Sequence, residues 1–293
     1  MNIPDLEAFI AVVETGSLGA AALRLNLTQP GVTRRVQSLE QSLGTTLLDR
    51  RSKPPTVTAA GRAAYDHARR VSQAVRDMKS ALDPDGEPRG EFRIGVSVGL
   101  GDLALSDPVD RVRAEFPQLH VKATTGWSAI PQLRAGKLDA AAVLSGHDDE
   151  APGGLSGERL SAERAVIVAG PQLELPKSPK LADLAALPWV LNQDGCVFRR
   201  VVIEAFAGKQ RLMVPSVEVG PAELQLSLIA RGHGVGMVLP RMLARSGFRD
   251  AVRVVNVRDF RPVFDVWLVH AAHPGQLAAP IRCFRDALKS QLS

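Results

Sequence analysis

A cluster of polar and cationic side chains lies between positions 28 and 34 of the 293-residue chain. Its members are Thr28, Gln29, Pro30, Thr33 and Arg34. Glutamine can pair bidentately with adenine, arginine can pair bidentately with guanine, and an apolar side chain can contact the methyl group of thymine. The chemistry available to this cluster is therefore the recognition of base edges in a duplex groove.

A second set of cations follows the cluster, and we expect it to contact phosphate rather than bases. Its members are Arg35, Arg50, Arg51 and Lys53. The window from Ala20 to Lys79 holds eleven basic and four acidic residues, whereas the whole chain has a net charge of only +5. A basic surplus confined to one end indicates a polyanion-binding module joined to a domain with another task. A solvated basic face without a partner is the alternative.

Two predicted helices joined by a tight turn would position the recognition cluster. Ser17 is a typical N-cap for a short helix over residues 18–25, and Thr28 is a typical N-cap for the next helix, with Pro30 in its first turn. The second helix buries one apolar stripe, formed by Val32, Val36, Leu39 and Leu43. The cluster projects away from that stripe, as in helix-turn-helix proteins. A plain helical hairpin with solubilising basic residues is the alternative.

The segments on either side of this pair complete a small domain. A preceding helix is predicted by an apolar stripe at Leu6, Phe9, Ile10 and Val13, and we expect it to end at Gly16. Residues 47–58 predict two short strands around a basic, proline-containing tip. Such a hairpin would form a wing over the phosphates.

The segment 59–82 is predicted to be one long helix with a heptad seam. Its apolar positions alternate at spacings of four and three residues, and they are Ala64, Ala68, Val71, Val75, Met78 and Leu82. Residues 83–90 are rich in proline and glycine and have the composition of a hinge. A monomer could bury the seam against its own core. The hinge leaves the helix between domains, however, so we expect the seam to form a dimer.

From residue 91 the pattern changes to alternating strands and helices, which predicts an α/β domain with a mostly parallel sheet. Strands are predicted at 92–97, 121–124, 140–144, 165–169, 189–192, 217–219, 235–239 and 264–270. Helices are predicted at 103–116, 129–134 and 280–291.

The motifs along the chain resemble those of LysR-type transcriptional regulators. The N-terminal ones are SLGAAAL at 17–23, LTQPGVTR at 27–34, LEQSLG at 39–44, LLDR at 47–50 and TAAG at 58–61. The later ones are EFP at 115–117, LRAGKLD at 133–139 and GHGVGMVLP at 232–240. Leu48 and Gly31 depart from the residues that are frequent in that family, which leaves the operator sequence open.

The resemblance implies an N-terminal all-α winged helix-turn-helix domain over 1–58 and a linker helix with hinge over 59–90. It also implies an α/β effector domain over 91–293 with two lobes like those of periplasmic binding proteins, one at 91–164 and 264–293 and the other at 165–263. The implied function is sequence-specific binding of promoter DNA, switched by a small molecule between the lobes. The implied assembly is a homodimer or homotetramer, with RNA polymerase as a further partner.

The effector site is expected at loops that follow strands, because ligands of open α/β sheets bind at the carboxyl ends of strands and near helix N-termini. In the first lobe these loops carry Ser97, Val98, Gly99, Trp127 and Ser128. In the second lobe they carry Asn192, Gln193 and Arg199. This composition suits a small carboxylate with an apolar or aromatic body.

The sequence predicts neither an enzyme nor a membrane protein. P-loop, H-E-x-x-H and C-x-x-C motifs are absent, so we expect no metal and no cofactor. The two cysteines, Cys196 and Cys283, have no disulfide or zinc spacing and indicate a reducing, cytoplasmic setting. Cys196 is expected to be an inert, packed thiol rather than a redox sensor. A ligand-binding module without any action on DNA is the main alternative function.

Overall fold

The computed structural model describes residues 1–52, 54–82, 87–100, 105–126, 128–147, 150–152, 155–208, 213 and 215–292. The chain divides into two compact units. The first comprises residues 1–86 with 134–137, and the second comprises residues 87–133 with 138–293.

The first unit begins with three helices whose ends follow from local chemistry. They are α1 (Ile3–Thr15), α2 (Leu18–Arg24) and α3 (Gln29–Leu43). The Ser17 and Thr28 side chains accept hydrogen bonds from the first turns of α2 and α3, as predicted. Asn26, between these helices, has φ 52°, a left-handed conformation that asparagine tolerates. The predicted helices are confirmed, with α2 one residue shorter than expected.

The three helices enclose a small apolar core. Phe9 of α1 and the α3 side chains Val32, Val36 and Leu39 have no exposed surface. Leu43, which was predicted to extend the α3 stripe, is 44% exposed at the helix end. The buried stripe therefore fixes one face of α3 and leaves the opposite face to solvent.

The wing and the long helix follow directly. Strands β1 (Leu48–Asp49) and β2 (Thr56–Val57) pair antiparallel, and α4 runs over Ala59–Leu82, as predicted. Gly61 lies where α4 passes the wing, and a Cβ atom there would come within 2.2 Å of the Leu47 carbonyl oxygen. Any other residue at position 61 would push the wing and α4 apart.

The second unit contains two five-stranded sheets. The first sheet has the order β4-β3-β5-β12-β6. Its strands are β3 (Gly90–Val96), β4 (Leu119–Thr125), β5 (Ala140–Gly146), β6 (Ser156–Arg164) and β12 (Val263–His270). The second sheet has the order β11-β7-β10-β8-β9. Its strands are β7 (Val166–Ala169), β8 (Trp189–Asn192), β9 (Pro215–Val219), β10 (Val235–Val238) and β11 (Arg253–Val255).

Helices connect and cover these strands. They are α5 (Ser106–Glu115), α6 (Ala129–Arg134), α7 (Val197–Ala207), α8 (Ala222–Ala230), α9 (Pro240–Arg245) and α10 (Ala278–Leu292). Short 3-10 turns lie at Leu181–Leu184, Arg249–Ala251 and Gly275–Leu277. The start of the helix predicted at 103–116 falls partly outside the described residues. No helix in the described part of the chain combines the length and apolarity that crossing a bilayer would require.

Four of the five strands in each sheet run in the same direction, as expected for mostly parallel sheets, and one strand runs against them. In the first sheet β12 runs antiparallel to both β5 and β6, and in the second sheet β7 runs antiparallel to both β10 and β11. The reason is that the chain crosses from one sheet to the other between β6 and β7 and returns at β12, so the crossing strands reverse direction. Strands β6 and β11 were not predicted at all.

Candidate functional site

The recognition cluster lies on the solvent face of α3. Thr28, Gln29, Pro30 and Arg34 are exposed, and Thr33 is half-buried because its hydroxyl donates to the Gln29 carbonyl oxygen at 3.0 Å. The buried α3 stripe points the other way. The first two turns of α3 therefore present a neutral amide, a proline ring and a cation to solvent, which suits insertion into a major groove.

Arg34 and Arg35 carry the free positive charge of this surface. Neither makes an ion pair or side-chain hydrogen bond with any residue that the structure describes. Arg34 is exposed and Arg35 is half-buried. Their guanidinium groups are thus available to an outside acceptor, since no internal carboxylate competes for them.

A carboxylate on α3 anchors the wing. Glu40 accepts hydrogen bonds from the backbone N–H groups of Leu47 at 2.8 Å and Leu48 at 3.1 Å, and from the Arg50 guanidinium at 2.7 Å. Burial opposes ionisation of Glu40, but the bonds from Arg50 and the two backbone groups prevail and lower its pKa below 4.5. Arg50 is therefore occupied in holding the wing against α3, in addition to the phosphate contact predicted for it.

The wing tip carries a second ion pair. Arg51 donates to Asp49 through two nitrogens, and these hydrogen bonds lower the pKa of the Asp49 carboxyl to about 2. The Arg51 side chain is still 91% exposed, so it can also reach a phosphate. Lys53, the remaining predicted phosphate contact, lies outside the described residues.

The heptad seam of α4 divides into two halves. Ala64 and Ala68 pack into the core of the first unit, as in the monomeric alternative. Val71 and Met78 are 43% and 58% exposed in the single chain. This exposure is what the predicted dimer seam would show in an isolated protomer. The side chain of Leu82 lies outside the description.

One carboxylate ties α1 to both α2 and α4. Glu14 of α1 accepts hydrogen bonds from Arg24 of α2 at 2.6 Å and from the Tyr65 hydroxyl of α4 at 3.0 Å, and it pairs with Arg69 of α4. Burial alone would raise the pKa of Glu14, but Arg24 and Arg69 outweigh it and lower that pKa. This cluster fixes the position of α4 against the helix pair.

The second unit contains a cleft of about 520 Å³ between its two sheets. First-sheet segments contribute Ser97, Gly99, Ala129, Ile130, Val143, Leu144, Ser145, Glu150, Ala151 and Pro152. The start of α7 contributes Gly195, Cys196, Val197, Phe198 and Arg200. The lining exposes polar and apolar surface in nearly equal parts, so a ligand there would meet both hydrogen-bonding and apolar groups.

Two of the residues predicted for the effector site, Ser97 and Gly99, line this cleft. A Cβ atom on Gly99 would lie 3.3 Å from Leu144 and 3.7 Å from Phe198, so this glycine sits where the two walls approach each other. Four other predicted residues, Val98, Ser128, Asn192 and Gln193, are not part of the lining. Trp127 lies outside the described residues.

The structure corrects the role expected for Arg199. Its guanidinium pairs with Asp194 at 3.0 Å and Glu218 at 2.8 Å, and it donates to the Asn192 carbonyl oxygen at 3.2 Å. Its side chain is only 15% exposed. Arg199 therefore holds the loop after β8 in place, and the neighbouring Arg200 is the cation on the cleft wall.

Sequence reasoning missed Arg200 and Glu150. Arg200 is one residue beyond the predicted arginine, and one helical residue turns the side-chain direction by about 100°. Glu150 follows β5 in a segment for which no site was predicted. The available signal was its position after the carboxyl end of a parallel strand, the same rule that selected Ser97.

The expectation that the chain lacks the G-x-S-x-G motif of hydrolase nucleophiles was wrong, because residues 95–99 have that spacing. A serine nucleophile needs a base within hydrogen-bond reach. No histidine lines the cleft beside Ser97 among the described residues, and His147 is instead held by the buried Asp265 at 2.9 Å. Ser97 is thus placed as a hydrogen-bonding group rather than as a nucleophile.

Two further features have structural roles. Cys196 is buried in the cleft wall, and this burial raises the pKa of its thiol to about 11, so it is not a reactive thiolate. Gly234 has φ 139° and passes so close to the Pro188 carbonyl that a Cβ atom would be 2.1 Å from it, which explains the glycine pattern at 232–236 as packing. His233 is an exposed loop residue. No cluster that could ligate a metal occurs among the described residues.

Comparisons with known proteins give one family for both units. The model of bacterial regulatory helix-turn-helix proteins of the lysR family matches residues 3–62, and the LysR substrate binding domain matches residues 85–293. The transcriptional activator IlvY of Salmonella typhimurium is 26% identical over 275 residues, covering 91% of this chain and 92% of IlvY. The transcriptional regulator YnfL of Escherichia coli is 30% identical, with 100% of both chains covered.

Solved structures share the fold along nearly the whole chain. A full-length OxyR variant from Pseudomonas aeruginosa has a TM-score of 0.76 at 19% identity and covers 98% of this chain and 94% of that one. Full-length CbnR in complex with its target DNA has a TM-score of 0.62 at 24% identity and covers 98% of this chain and 100% of that one.

Proposed function

Because this chain belongs to the LysR family of bacterial transcriptional regulators, we propose that its α3 surface reads an operator and that its cleft binds a small organic anion. The chain is a DNA-binding regulator with an effector-binding domain, and it is not an enzyme. The alternative of a ligand-binding module without action on DNA does not fit a chain whose first sixty residues match a DNA-binding family model.

The DNA part of the proposal rests on one observation, the solvent-facing first two turns of α3, whose two arginines have no partner within the described chain. Gln29, Thr33 and Arg34 are assigned to base edges, with Thr28 and Pro30 beside them. Arg35, Arg51 and Lys53 are assigned to phosphate, with Arg50 both contacting phosphate and holding the wing. An electrophoretic mobility shift on the intergenic DNA upstream of its own gene tests this assignment, and equal affinity for that DNA and for random duplex would contradict it.

The effector part rests on the cleft that Ser97 and Gly99 line. Helix α7 starts in its wall, and the positive end of the helix dipole there favours an anion. Arg200 adds a cation to the same wall. Thermal-shift screening of aliphatic and aromatic carboxylates tests this, and stabilisation by sugars or cations alone would contradict it.

The proposed organisation is a DNA-binding domain over 1–58, a linker over 59–90 and a two-lobed effector domain over 91–293. The exposed half of the α4 seam supports a homodimer through Val71 and Met78, and two dimers would form a tetramer. We also assign the protein to the cytoplasm and include RNA polymerase among its partners, because both follow from regulation at a promoter. Sedimentation of the Met78→Glu variant tests the seam, since a dimer of unchanged stability would contradict it.

A further inference from the structure

We propose that the effector is a dipolar molecule of the amino-acid class, whose ammonium group pairs with Glu150 and whose carboxylate pairs with Arg200. The inference rests on the proposed function of the cleft and narrows it from an organic anion to a zwitterion. Three features of the cleft carry it: the placement of its charges, their lack of strong internal partners, and the polarity of the surface between them.

The two charges stand on opposite walls. Among the described lining residues, Glu150 is the acidic one and Arg200 is the basic one. Glu150 follows β5 of the first sheet, whereas Arg200 lies in the first turn of α7, which packs with the second sheet. A ligand between the walls therefore meets a negative group on one side and a positive group on the other.

Neither charge is strongly neutralised by the protein. Glu150 is exposed and makes no ion pair with any residue in the described ranges. Arg200 pairs with Glu204 at 3.7 Å, one turn along its own helix, and both side chains are more than half exposed. Exposed pairs of this kind contribute little free energy, so a ligand carboxylate can replace Glu204 at small cost.

The neighbouring Arg199, by contrast, is fully paired with carboxylates of the protein. It has two carboxylate partners at or below 3.0 Å and is 15% exposed, compared with 56% for Arg200. The fold thus neutralises one arginine of this adjacent pair and leaves the other to the cleft.

The surface between the charges suits the body of such a ligand. Ser97 and Ser145 supply hydroxyl groups, and Ile130, Val143 and Phe198 supply apolar contacts. A simple organic acid would satisfy Arg200 and the α7 N-terminus but would leave Glu150 facing an apolar or anionic ligand. A zwitterion satisfies both walls, which is why the geometry favours it.

The test uses the full-length protein and titration calorimetry. The common amino acids are first screened by thermal shift. Each amino acid that stabilises the protein is then compared with its deaminated acid and its decarboxylated amine, for example phenylalanine with 3-phenylpropanoate and 2-phenylethylamine. We expect the amino acid to bind at least about tenfold more tightly than either analogue, because each analogue leaves one charged wall unpaired.

Two substitutions assign the charges. Glu150→Gln should weaken amino-acid binding to the level of the deaminated acid while leaving binding of that acid unchanged. Arg200→Gln should weaken it to the level of the amine. Glu174→Gln and Arg231→Gln, which change exposed charges outside the cleft lining, are the matched controls and should alter neither affinity. Unchanged melting temperatures of the unliganded variants would verify that all four fold.

Each contrary result has a definite meaning. Equal affinities for amino acid and deaminated acid, with no effect of Glu150→Gln, would overturn the dipolar ligand and leave an organic anion in the cleft as the proposed function. Absence of stabilisation by every amino acid would likewise overturn it. If the carboxylate screen also failed, the proposed effector site itself would be wrong, whereas DNA binding is measured separately.

Discussion

The recognition surface of α3 and the cleft of the second unit treat charge in opposite ways. On α3, Arg34 and Arg35 have no internal carboxylate partner within the described chain, so their field extends to any polyanion nearby. The described lining of the cleft holds one acid and one base, so their two fields largely cancel at a distance. We expect the first arrangement to attract DNA from a distance and the second to discriminate among small ligands only on contact.

This contrast should be largest in the response to salt. Raising the salt concentration from about 50 to about 200 mM should weaken operator binding roughly 10⁴-fold, because a dimer brings about eight phosphate contacts and each releases counterions. Binding of a small ligand in the cleft should change only a few-fold over the same range. Fluorescence anisotropy and calorimetry measure the two affinities, and similar salt slopes for both would contradict the comparison.

Removal of one unpaired cation should have the next largest effect. Arg34→Ala should weaken specific DNA binding by about 1–3 kcal/mol and relax the preference at one base pair. Anisotropy with operator variants measures both effects. Arg231→Ala removes an exposed arginine of the second unit and should leave operator affinity unchanged. If a folded Arg34→Ala dimer bound the operator with unaltered affinity, Arg34 would not be a DNA-contacting residue.

The wing anchor should give an effect of similar or smaller size that depends on pH. Glu40→Gln should destabilise the first unit by about 1–3 kcal/mol, because hydrogen bonds to a charged acceptor are lost. The folded-state pKa of Glu40 lies below its ordinary 4.5. Its stabilisation is therefore present above pH 4.5 and lost as the pH falls through that value and below. Urea unfolding at several pH values measures this, and an equal pH dependence in Glu40→Gln would contradict it.

The smallest signal is expected for alkylation of the Cys196 thiol in the cleft wall. Since the pKa of the buried Cys196 thiol is about 11, native protein near pH 7 should react with iodoacetamide far more slowly than a free cysteine. Peptide mass spectrometry before and after unfolding measures the labelling. Rapid labelling of Cys196 in the native protein would show that the wall opens.

The two regions also differ in how far their residues could be inferred from the sequence. Helix and cap signals are local, so α3 and its cap Thr28 were predicted at the right positions. The cleft gathers distant segments, and which residue of a helix faces it depends on packing. That is why Ser97 was found, whereas Arg199 was chosen in place of Arg200.

The missed strands have a similar explanation. Strand β6 is an edge strand whose sequence, SGERLSAER, is polar and largely exposed, so it lacks the apolar alternation by which strands are recognised. The α4 seam illustrates a different limit. A heptad pattern predicts that Ala68 and Met78 both pack against another apolar surface. It does not reveal that Ala68 packs into the core of its own chain, whereas Met78 stays exposed.

On α3, the residues that pack into the core and the residues assigned to DNA lie at different positions, and this has a practical consequence. The side chains that fold the helix, Val32, Val36 and Leu39, share no position with those assigned to the operator. The outward residues Gln29, Thr33 and Arg34 can therefore be exchanged for those of a relative without repacking the core. A sensor could be retargeted to a new promoter in this way while it keeps its own ligand.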